Sequence, residues 1–175
     1  GFPVVPVPGA SAVITALSAS GLADGHFHFH GFLPTKSAAR RASLESLRSV
    51  PGTLVFYEAP HRIAETLDDL AAVFEPAREL VVARELTKMF EQIVRMPITE
   101  GPAWLAADPN RARGEFVLLV SAAPVAEGLS PEAERVLGLL LAELPVKQAA
   151  KLAAAITGES KNALYERALA MRDEG

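Results

Sequence analysis

The fold is decided around residues 53–62, where the sequence reads Thr-Leu-Val-Phe-Tyr-Glu-Ala-Pro-His-Arg. The first five residues are mostly β-branched or aromatic, which predicts a buried strand. A helical pattern follows at residues 61–74, where apolar side chains recur at helical spacing. Ligands of open α/β sheets gather where a strand ends and a helix begins, so the polar residues at this junction form a candidate site. The alternative is a helix-capping Glu58 followed by an exposed His61-Arg62 pair.

Strand and helix patterns alternate on both sides of this junction, which predicts an α/β fold. The further strands are predicted at residues 4–7, 27–33, 80–83, 91–96 and 116–121, the first of them as a short strand or extended entry. The helices are predicted at residues 10–20, 36–49, 61–74 and 103–107. Because the connection at residues 85–91 is too short for a helix, the sheet is expected to be mixed, with flanking helices.

The end of the chain is expected to form a small all-helical tail. We predict an α/β domain at residues 1–123, a linker at 124–129 and the tail at 130–175. Ser130-Pro131 is typical of a helix start, with a serine cap and a proline in the first turn. Three short helices with a glycine turn at residues 157–160 have the outline of a helix-turn-helix.

Composition excludes several classes of protein. Of 175 residues, 50% are apolar and 22% are charged, which is typical of a globular chain. There are no cysteines, so disulfides and zinc–thiolate sites are excluded. No apolar run is long enough to span a membrane, and we expect a cytoplasmic protein. Because the chain starts at Gly1 with an apolar stretch, we also expect it to be a piece of a longer protein.

The net charge of −4 is not that of a purely electrostatic nucleic-acid binder. Any RNA contact must therefore come from a local basic patch. The candidate patch is Lys36, Arg40, Arg41 and Arg48, and the alternative is an ordinary solvated helix face.

Two further stretches could carry chemistry. Residues 8–12 place a Pro-Gly turn and Ser11 before a helix, where backbone N–H groups could hold a polar ligand. Residues 83–91 pack four charges into a short turn, where Arg84 and Lys88 could hold phosphate and Glu85 or Glu91 could act as a base. The alternatives are an ordinary capped connection and a charged surface turn.

His26, His28 and His30 lie in one predicted strand, and we expect them to face solvent without binding metal.

Four of these stretches resemble one family. They are Pro-Gly-Ala-Ser-Ala-Val-Ile-Thr-Ala-Leu at 8–17, Gly-Phe-Leu-Pro-Thr-Lys at 31–36, Phe-Tyr-Glu-Ala-Pro-His-Arg at 56–62 and Ala-Arg-Glu-Leu-Thr-Lys at 83–88. In their order and spacing they resemble the ribosomal RNA small subunit methyltransferase I family, of the tetrapyrrole methylase superfamily. The tail resembles the helix-turn-helix at the end of that family, and the resemblance covers essentially the whole chain.

The resemblance implies an enzyme that uses S-adenosylmethionine to methylate a cytidine 2′-hydroxyl in small-subunit ribosomal RNA. It implies a preceding domain that shares the cofactor cleft, a homodimer, and no metal. The implied cofactor contacts are Pro8, Gly9, Ser11, Ala12, Phe56, Tyr57, Leu86, Thr87 and Gly114. The implied contacts to RNA phosphate are Lys36, Arg40, Arg41, His61 and Arg62. The candidates for a general base, or for a cation that favours the ribose alkoxide, are Glu58, Glu85 and Lys88.

Two other readings stay open. One is a methylase of tetrapyrrole or corrin precursors, which shares the fold but would need a cleft for a large acidic macrocycle. The other is a non-catalytic nucleic-acid-binding or dimerisation module, built on the helical tail or on the α/β domain.

Overall fold

A mixed sheet lies at the centre of residues 1–124, the first of two compact units in the chain; the second comprises residues 125–175. The computed structural model describes residues 1–22, 24–124 and 128–173. Within them the strands are β1 (Phe27–Phe32), β2 (Thr53–Glu58), β3 (Glu79–Arg84), β4 (Gln92–Pro97) and β5 (Phe116–Val120). The helices of this unit are α1 (Ala12–Ser20), α2 (Ser37–Leu47), α3 (Ile63–Val73) and α4 (Gly101–Ala106), with 3-10 turns at Ile98–Glu100 and Pro109–Ala112.

The strand order brings several strand ends to one edge. The order is β1-β2-β5-β3-β4, with β1 and β2 parallel and the other neighbours antiparallel. Glu58, Phe116, Arg84 and Gln92 therefore lie at the same level across four strands. The ends of β1, β2 and β3 meet the starts of β5 and β4 there, and we call this the site edge of the sheet.

The two faces of the sheet bury different side chains. Alternate residues of β2, such as Leu54 and Phe56, face α2, α3 and α4 in the larger core. Val55 and Tyr57 face the opposite way, into a smaller core with Val13 and Ala16 of α1. This alternation follows from the period of two in a strand, and it places α1 on the same side as Tyr57.

The described part of the second unit, residues 128–173, holds three helices: α5 (Pro131–Leu141), α6 (Val146–Thr157) and α7 (Lys161–Asp173). The Ser130 hydroxyl accepts the Ala133 N–H at 3.2 Å, as expected of an N-cap. Gly158 ends α6 with a φ of 76°. Small alanines, including Ala149, Ala150 and Ala153, are completely buried and let these helices approach closely.

The predicted α/β fold with a mixed sheet and a helical tail is confirmed. Element positions agree within a few residues, with one exception: residues 4–7, predicted as a short strand or an extended entry, form no strand. Residues 1–11 have no regular structure and are exposed. Helix α1 begins at Ala12 rather than at residue 10. Half of the predicted linker, residues 125–127, lies outside the described residues. None of the helices described in the structure is long and apolar enough to cross a membrane.

Candidate functional site

A pocket of about 430 Å³ opens at the site edge of the sheet. It combines aromatic rings with a few polar groups, as small-molecule sites do. It is lined by Ala12, Phe32, Tyr57, Glu58, Ala59, Pro60, Leu86, Glu115, Phe116 and Val117. We call it the strand-end pocket.

Three of the predicted cofactor residues line this pocket: Ala12, Tyr57 and Leu86. Each comes from a different sequence stretch, and the mixed sheet brings them together. The other predicted residues lie elsewhere. Pro8, Gly9 and Ser11 are exposed before α1, Thr87 is exposed in the turn, and Gly114 lines a second cavity.

Phe56 does not reach the strand-end pocket. Its side chain is completely buried in the larger core, on the face of the sheet away from α1. The structural reason is the alternation of side chains in β2, which turns Tyr57 toward the pocket and Phe56 away from it.

The remaining lining residues are not among the predicted site residues: Phe32, Ala59, Pro60, Glu115, Phe116 and Val117. Phe32 is brought there by its pairing with Tyr57 in parallel strands. Phe116 and Val117 arrive because β5 runs antiparallel to β2 and begins where β2 ends. The strand patterns were visible in the sequence, but strand order was not.

The turn after β3 holds its charges in a defined arrangement. Lys88 Nζ donates to Glu85 Oε1 at 2.9 Å and to Glu115 Oε2 at 2.8 Å. The backbone N–H of Glu115 also donates to Glu85 Oε1, at 3.0 Å. Two non-glycine residues, Glu85 and Thr87, have positive φ angles of 53° and 63°. Such backbone conformations are costly and cluster at functional sites.

These hydrogen bonds shift the titration of both partners. The bond from Lys88, followed by that from the Glu115 N–H, lowers the pKa of Glu85. The bonds to Glu115 and then Glu85 raise the pKa of Lys88. At neutral pH Lys88 is therefore a cation and Glu85 a carboxylate of reduced basicity.

Glu58 is engaged in holding the chain at the start of α3. Its Oε1 accepts the Ala59 N–H at 2.7 Å, and its Oε2 accepts the Thr66 hydroxyl at 2.7 Å. Arg62 Nε lies 3.3 Å from Oε1, and the Glu58 side chain is completely buried. The structure thus supports the alternative in which Glu58 is a structural acid.

Arg62 fastens the neighbouring loop. Its Nη2 donates to the carbonyl oxygen of Leu33 at 2.7 Å and to that of Pro34 at 3.3 Å. This loop leads into α2 and carries Lys36. Arg62 therefore positions the loop, and only 14% of its side chain is exposed.

The basic cluster of α2 divides into buried and exposed members. Arg40 is 1% exposed, and its Nε donates to Asp69 Oδ2 at 2.6 Å. A buried charge needs such a partner, so Arg40 is a structural residue, and its interpretation as an RNA contact is corrected. Arg41 also pairs with Asp69 but is 55% exposed, while Lys36 and His61 are exposed.

His28 and His30 are neighbours on β1, with ring centroids 6.3 Å apart. Among the described residues no group of three or more His, Cys, Asp or Glu side chains could hold a metal ion.

Solved structures share this architecture. "Crystal structure of the methyltransferase CobJ" matches with a TM-score of 0.50 at 22% identity, over 71% of this chain and 52% of that one. The cobalt precorrin-4 methyltransferase CbiF, described as a cobalamin biosynthetic enzyme, matches with a TM-score of 0.50 at 16% identity, over 66% of this chain and 50% of that one. At these identities the likeness concerns the fold.

Curated relatives are much more similar in sequence. Proteins of Pseudomonas aeruginosa and Haemophilus influenzae, both named ribosomal RNA small subunit methyltransferase I, are 54% and 48% identical over 97% of this chain. The chain spans 61% of the length of each. Residues 127–172 match the family model described as the RsmI C-terminal HTH domain. Residues 1–101, more than half of the chain, match that of the Tetrapyrrole (Corrin/Porphyrin) Methylases, and the chain therefore belongs to the tetrapyrrole methylase family.

Proposed function

We propose that this chain forms part of an S-adenosylmethionine-dependent methyltransferase that methylates a cytidine 2′-hydroxyl in small-subunit ribosomal RNA. The observation that carries the proposal is the strand-end pocket, where three separate stretches of sequence converge. The names of the relatives, at about half identity over nearly the whole chain, support ribosomal RNA as the substrate.

The residues of the strand-end pocket suit this cofactor. Phe32 and Tyr57 offer aromatic surface to a nucleoside, and Leu86 adds an apolar wall. Aromatic faces also attract a sulfonium cation through their quadrupole. The volume of about 430 Å³ is within the range of small-molecule sites.

When bound, the cofactor supplies an activated methyl group, so the chain mainly has to position the ribose and favour its oxygen as a nucleophile. Among Glu58, Glu85 and Lys88, the Lys88 ammonium is the best placed for the second task. It is 46% exposed and is held by Glu85 and Glu115, the latter at the pocket wall. A fixed cation stabilises negative charge developing on the ribose oxygen. Glu85 positions Lys88, and Glu58 supports α3.

We assign contact with RNA phosphate to the exposed residues among the five predicted RNA contacts. Lys36, Arg41 and His61 are accessible, and Arg62 holds the loop that presents Lys36. A cytoplasmic location and a homodimer remain predictions of the proposal.

The proposal is tested by filling the strand-end pocket of the full-length protein. In Ala12→Trp the indole is added at an exposed pocket-lining residue, and Ala72→Trp makes the same change at an exposed site on α3. We expect Ala12→Trp to weaken S-adenosylmethionine binding at least roughly ten-fold, equal to about 1.4 kcal/mol. Calorimetric titration measures this, and Ala72→Trp should match the wild type.

The reaction is checked with small ribosomal subunits that lack the modification. We expect the wild type to place one methyl group on a cytidine ribose, detected as resistance of the adjoining phosphodiester to alkali. Methylation of a tetrapyrrole instead, or equal cofactor affinity in both tryptophan variants, would contradict the proposal.

A further inference from the structure

A second cavity, of about 370 Å³, adjoins the same turn and the loop before β5. It is lined by Arg84, Glu85, Phe90, Asn110, Arg113 and Gly114. None of these residues except Glu85 and Gly114 has a role in the site described above. We call it the arginine cavity.

Arg84 is a fixed cation in this cavity. Its Nη1 donates to the carbonyl oxygens of Asn110 and Arg113, at 2.5 and 3.0 Å. Its Nε is buried and, within the described residues, has no hydrogen-bond partner. A buried donor left unsatisfied is costly, and a ligand oxygen would relieve that cost.

Arg113 supplies a second cation. It is exposed, and its side chain forms no ion pair with any residue that the structure describes. Its neighbour Arg111 is different: that guanidinium stacks on Trp104 at 4.9 Å and donates to the Trp104 carbonyl at 2.6 Å. Of the two loop arginines, Arg111 supports the fold, whereas the Arg113 side chain forms no ion pair with a described residue.

The carboxylates near the arginine cavity are engaged. Glu85 Oε1 accepts from Lys88 and from the Glu115 N–H. Glu115 itself pairs with Lys88. Asp108 caps the 3-10 turn by accepting the Asn110 N–H at 2.8 Å. Neither Arg84 nor Arg113 forms a salt bridge with a described acid, although the charge of Arg84 helps to lower the pKa of Glu85. Two such arginines favour an anion, and Arg is well suited to phosphate.

Phe90 adds an aromatic surface beside these cations. Its side chain is 69% exposed at the wall of the cavity. Single-stranded RNA is commonly held by such a combination, in which cations contact the backbone and an aromatic ring stacks on an unpaired base.

We propose that the arginine cavity binds a nucleotide of the RNA that flanks the methylated cytidine, with Arg84 and Arg113 on its phosphate and Phe90 against its base. This assignment rests on the proposed function. Lys88 bonds to Glu85, which lines the arginine cavity, and to Glu115, which lines the strand-end pocket. RNA held in the arginine cavity would thus have its neighbouring ribose near Lys88.

The test uses the full-length protein and unmodified small-subunit ribosomal RNA transcribed in vitro. We expect Arg113→Gln to weaken RNA binding and to reduce the steepness of log K against log salt by about 0.7, the value for one single-strand phosphate contact. Arg95→Gln removes the same charge beside Glu79, at a residue that lines neither cavity, and should leave the slope unchanged. Affinity for S-adenosylmethionine should be the same in both variants.

Phe90→Ala separates stacking from charge. We expect it to weaken RNA binding roughly five-fold or more, without a change in the salt slope. Met89→Ala, at an adjacent side chain that is 90% exposed, is the matched control.

An unchanged salt slope in Arg113→Gln, or an equal change in Arg95→Gln, would overturn the subsite while leaving the methyltransferase proposal standing. If Arg113→Gln lowers affinity for intact small subunits but not for naked RNA, the cavity contacts a ribosomal protein and the RNA assignment is wrong. If the wild type neither binds nor methylates ribosomal RNA, the proposed function fails and the subsite with it.

Discussion

The Glu85 side chain lies close to the backbone of Gly114, which is possible because glycine has no side chain. Gly114 has a φ of +93°, a conformation that favours glycine. A Cβ added there would overlap the Cγ, Cδ and Oε1 atoms of Glu85. The close approach lets the Glu85 carboxylate accept from both Lys88 and the Glu115 N–H, and so fixes the Lys88 ammonium at the site edge.

We therefore expect Gly114→Ala to release the Glu85 carboxylate. The free energy of unfolding should fall by about 1–3 kcal/mol from backbone strain alone, and the lowered pKa of Glu85 should return toward its ordinary value. Chemical denaturation and NMR titration of the carboxyl carbons measure the two effects.

Gly31→Ala is the matched control. Gly31 also has a positive φ, of 84°, but a Cβ there meets only Phe29 at an ordinary 3.9 Å. It should cost stability without changing the pKa of Glu85. A Gly114→Ala variant that keeps this pKa low would show that the close approach does not hold the carboxylate.

The pairing of helices α2 and α3 depends on ions as well as apolar contacts. Asp69 of α3 is 3% exposed and receives Arg40 and Arg41 from α2. Burial alone would raise the pKa of Asp69, but the hydrogen bonds from Arg41 and Arg40 outweigh it and lower the pKa. Just beyond α3, Glu75 accepts from Arg48 and from the buried Arg78. Each carboxylate fixes arginines that pack over the core. We therefore expect acid to weaken the packing of α2 on α3.

The pKa of Glu75 sets the pH range in which we expect this loss of stability. Burial would raise its pKa, but hydrogen bonds from Arg48 and Arg78 lower it to about 2 from an ordinary 4.5. A folded-state pKa below the unfolded one stabilises the fold above the unfolded pKa, and the contribution is lost as pH falls through the folded pKa. We expect the free energy of unfolding to decrease between about pH 4.5 and pH 2.

Urea denaturation across this range tests the assignment. Glu75→Gln should flatten this part of the pH dependence, because the titrating carboxyl is gone. Glu134→Gln, on α5 in the other unit, removes an acid of partial exposure as the control. A Glu75→Gln variant with the same pH dependence as the wild type would refute the assignment.

At the scale of the whole molecule, the chain has separate hydrophobic cores. Leu118 belongs to the larger core of residues 1–124, while Leu164 belongs to the core formed by α5, α6 and α7. Both side chains are completely buried, and no described residue is shared between the two cores. The second unit is small, and small units bury a lower share of their surface. We therefore expect its amide protons to exchange through opening events of lower free energy than those of the first unit.

We expect Leu164→Ala to lower the opening free energy of amides in α5, α6 and α7 by about 2–5 kcal/mol. Amides whose opening free energy is smaller than this should lose their protection completely. Amides of β2, β3 and β5 should be unaffected, because the cavity forms in another core. Native-state hydrogen exchange of the full-length protein measures both regions.

Leu118→Ala is the reciprocal variant and should act on the central strands without changing the tail. Loss of protection in both units from either substitution would mean that the two units unfold together.

Local sequence accounts for most of the elements. The β-branched run at residues 53–57 is a strand, Gly21 and Gly158 end helices with positive φ, and Ser130 caps α5. These features depend on backbone conformation and on contacts between near neighbours, so pattern and composition are sufficient to predict them. Residues 4–7, predicted as a short strand or an extended entry, form no strand, because an apolar stretch becomes a strand only beside a neighbour that supplies hydrogen bonds.

The sequence alone determined the alternation of strands and helices, the helical tail, the family resemblance and the stretches from which the site is built. Which members of those stretches meet depends on strand order and on the packing of the helices. Strand order and pleat put Tyr57, Phe32 and Val117 at one pocket and turned Phe56 into the core. Packing of α2 on α3 buried Arg40 against Asp69 and left Arg41 exposed. The physical reason is that burial and charge pairing depend on partners distant in the chain, which a local pattern does not contain.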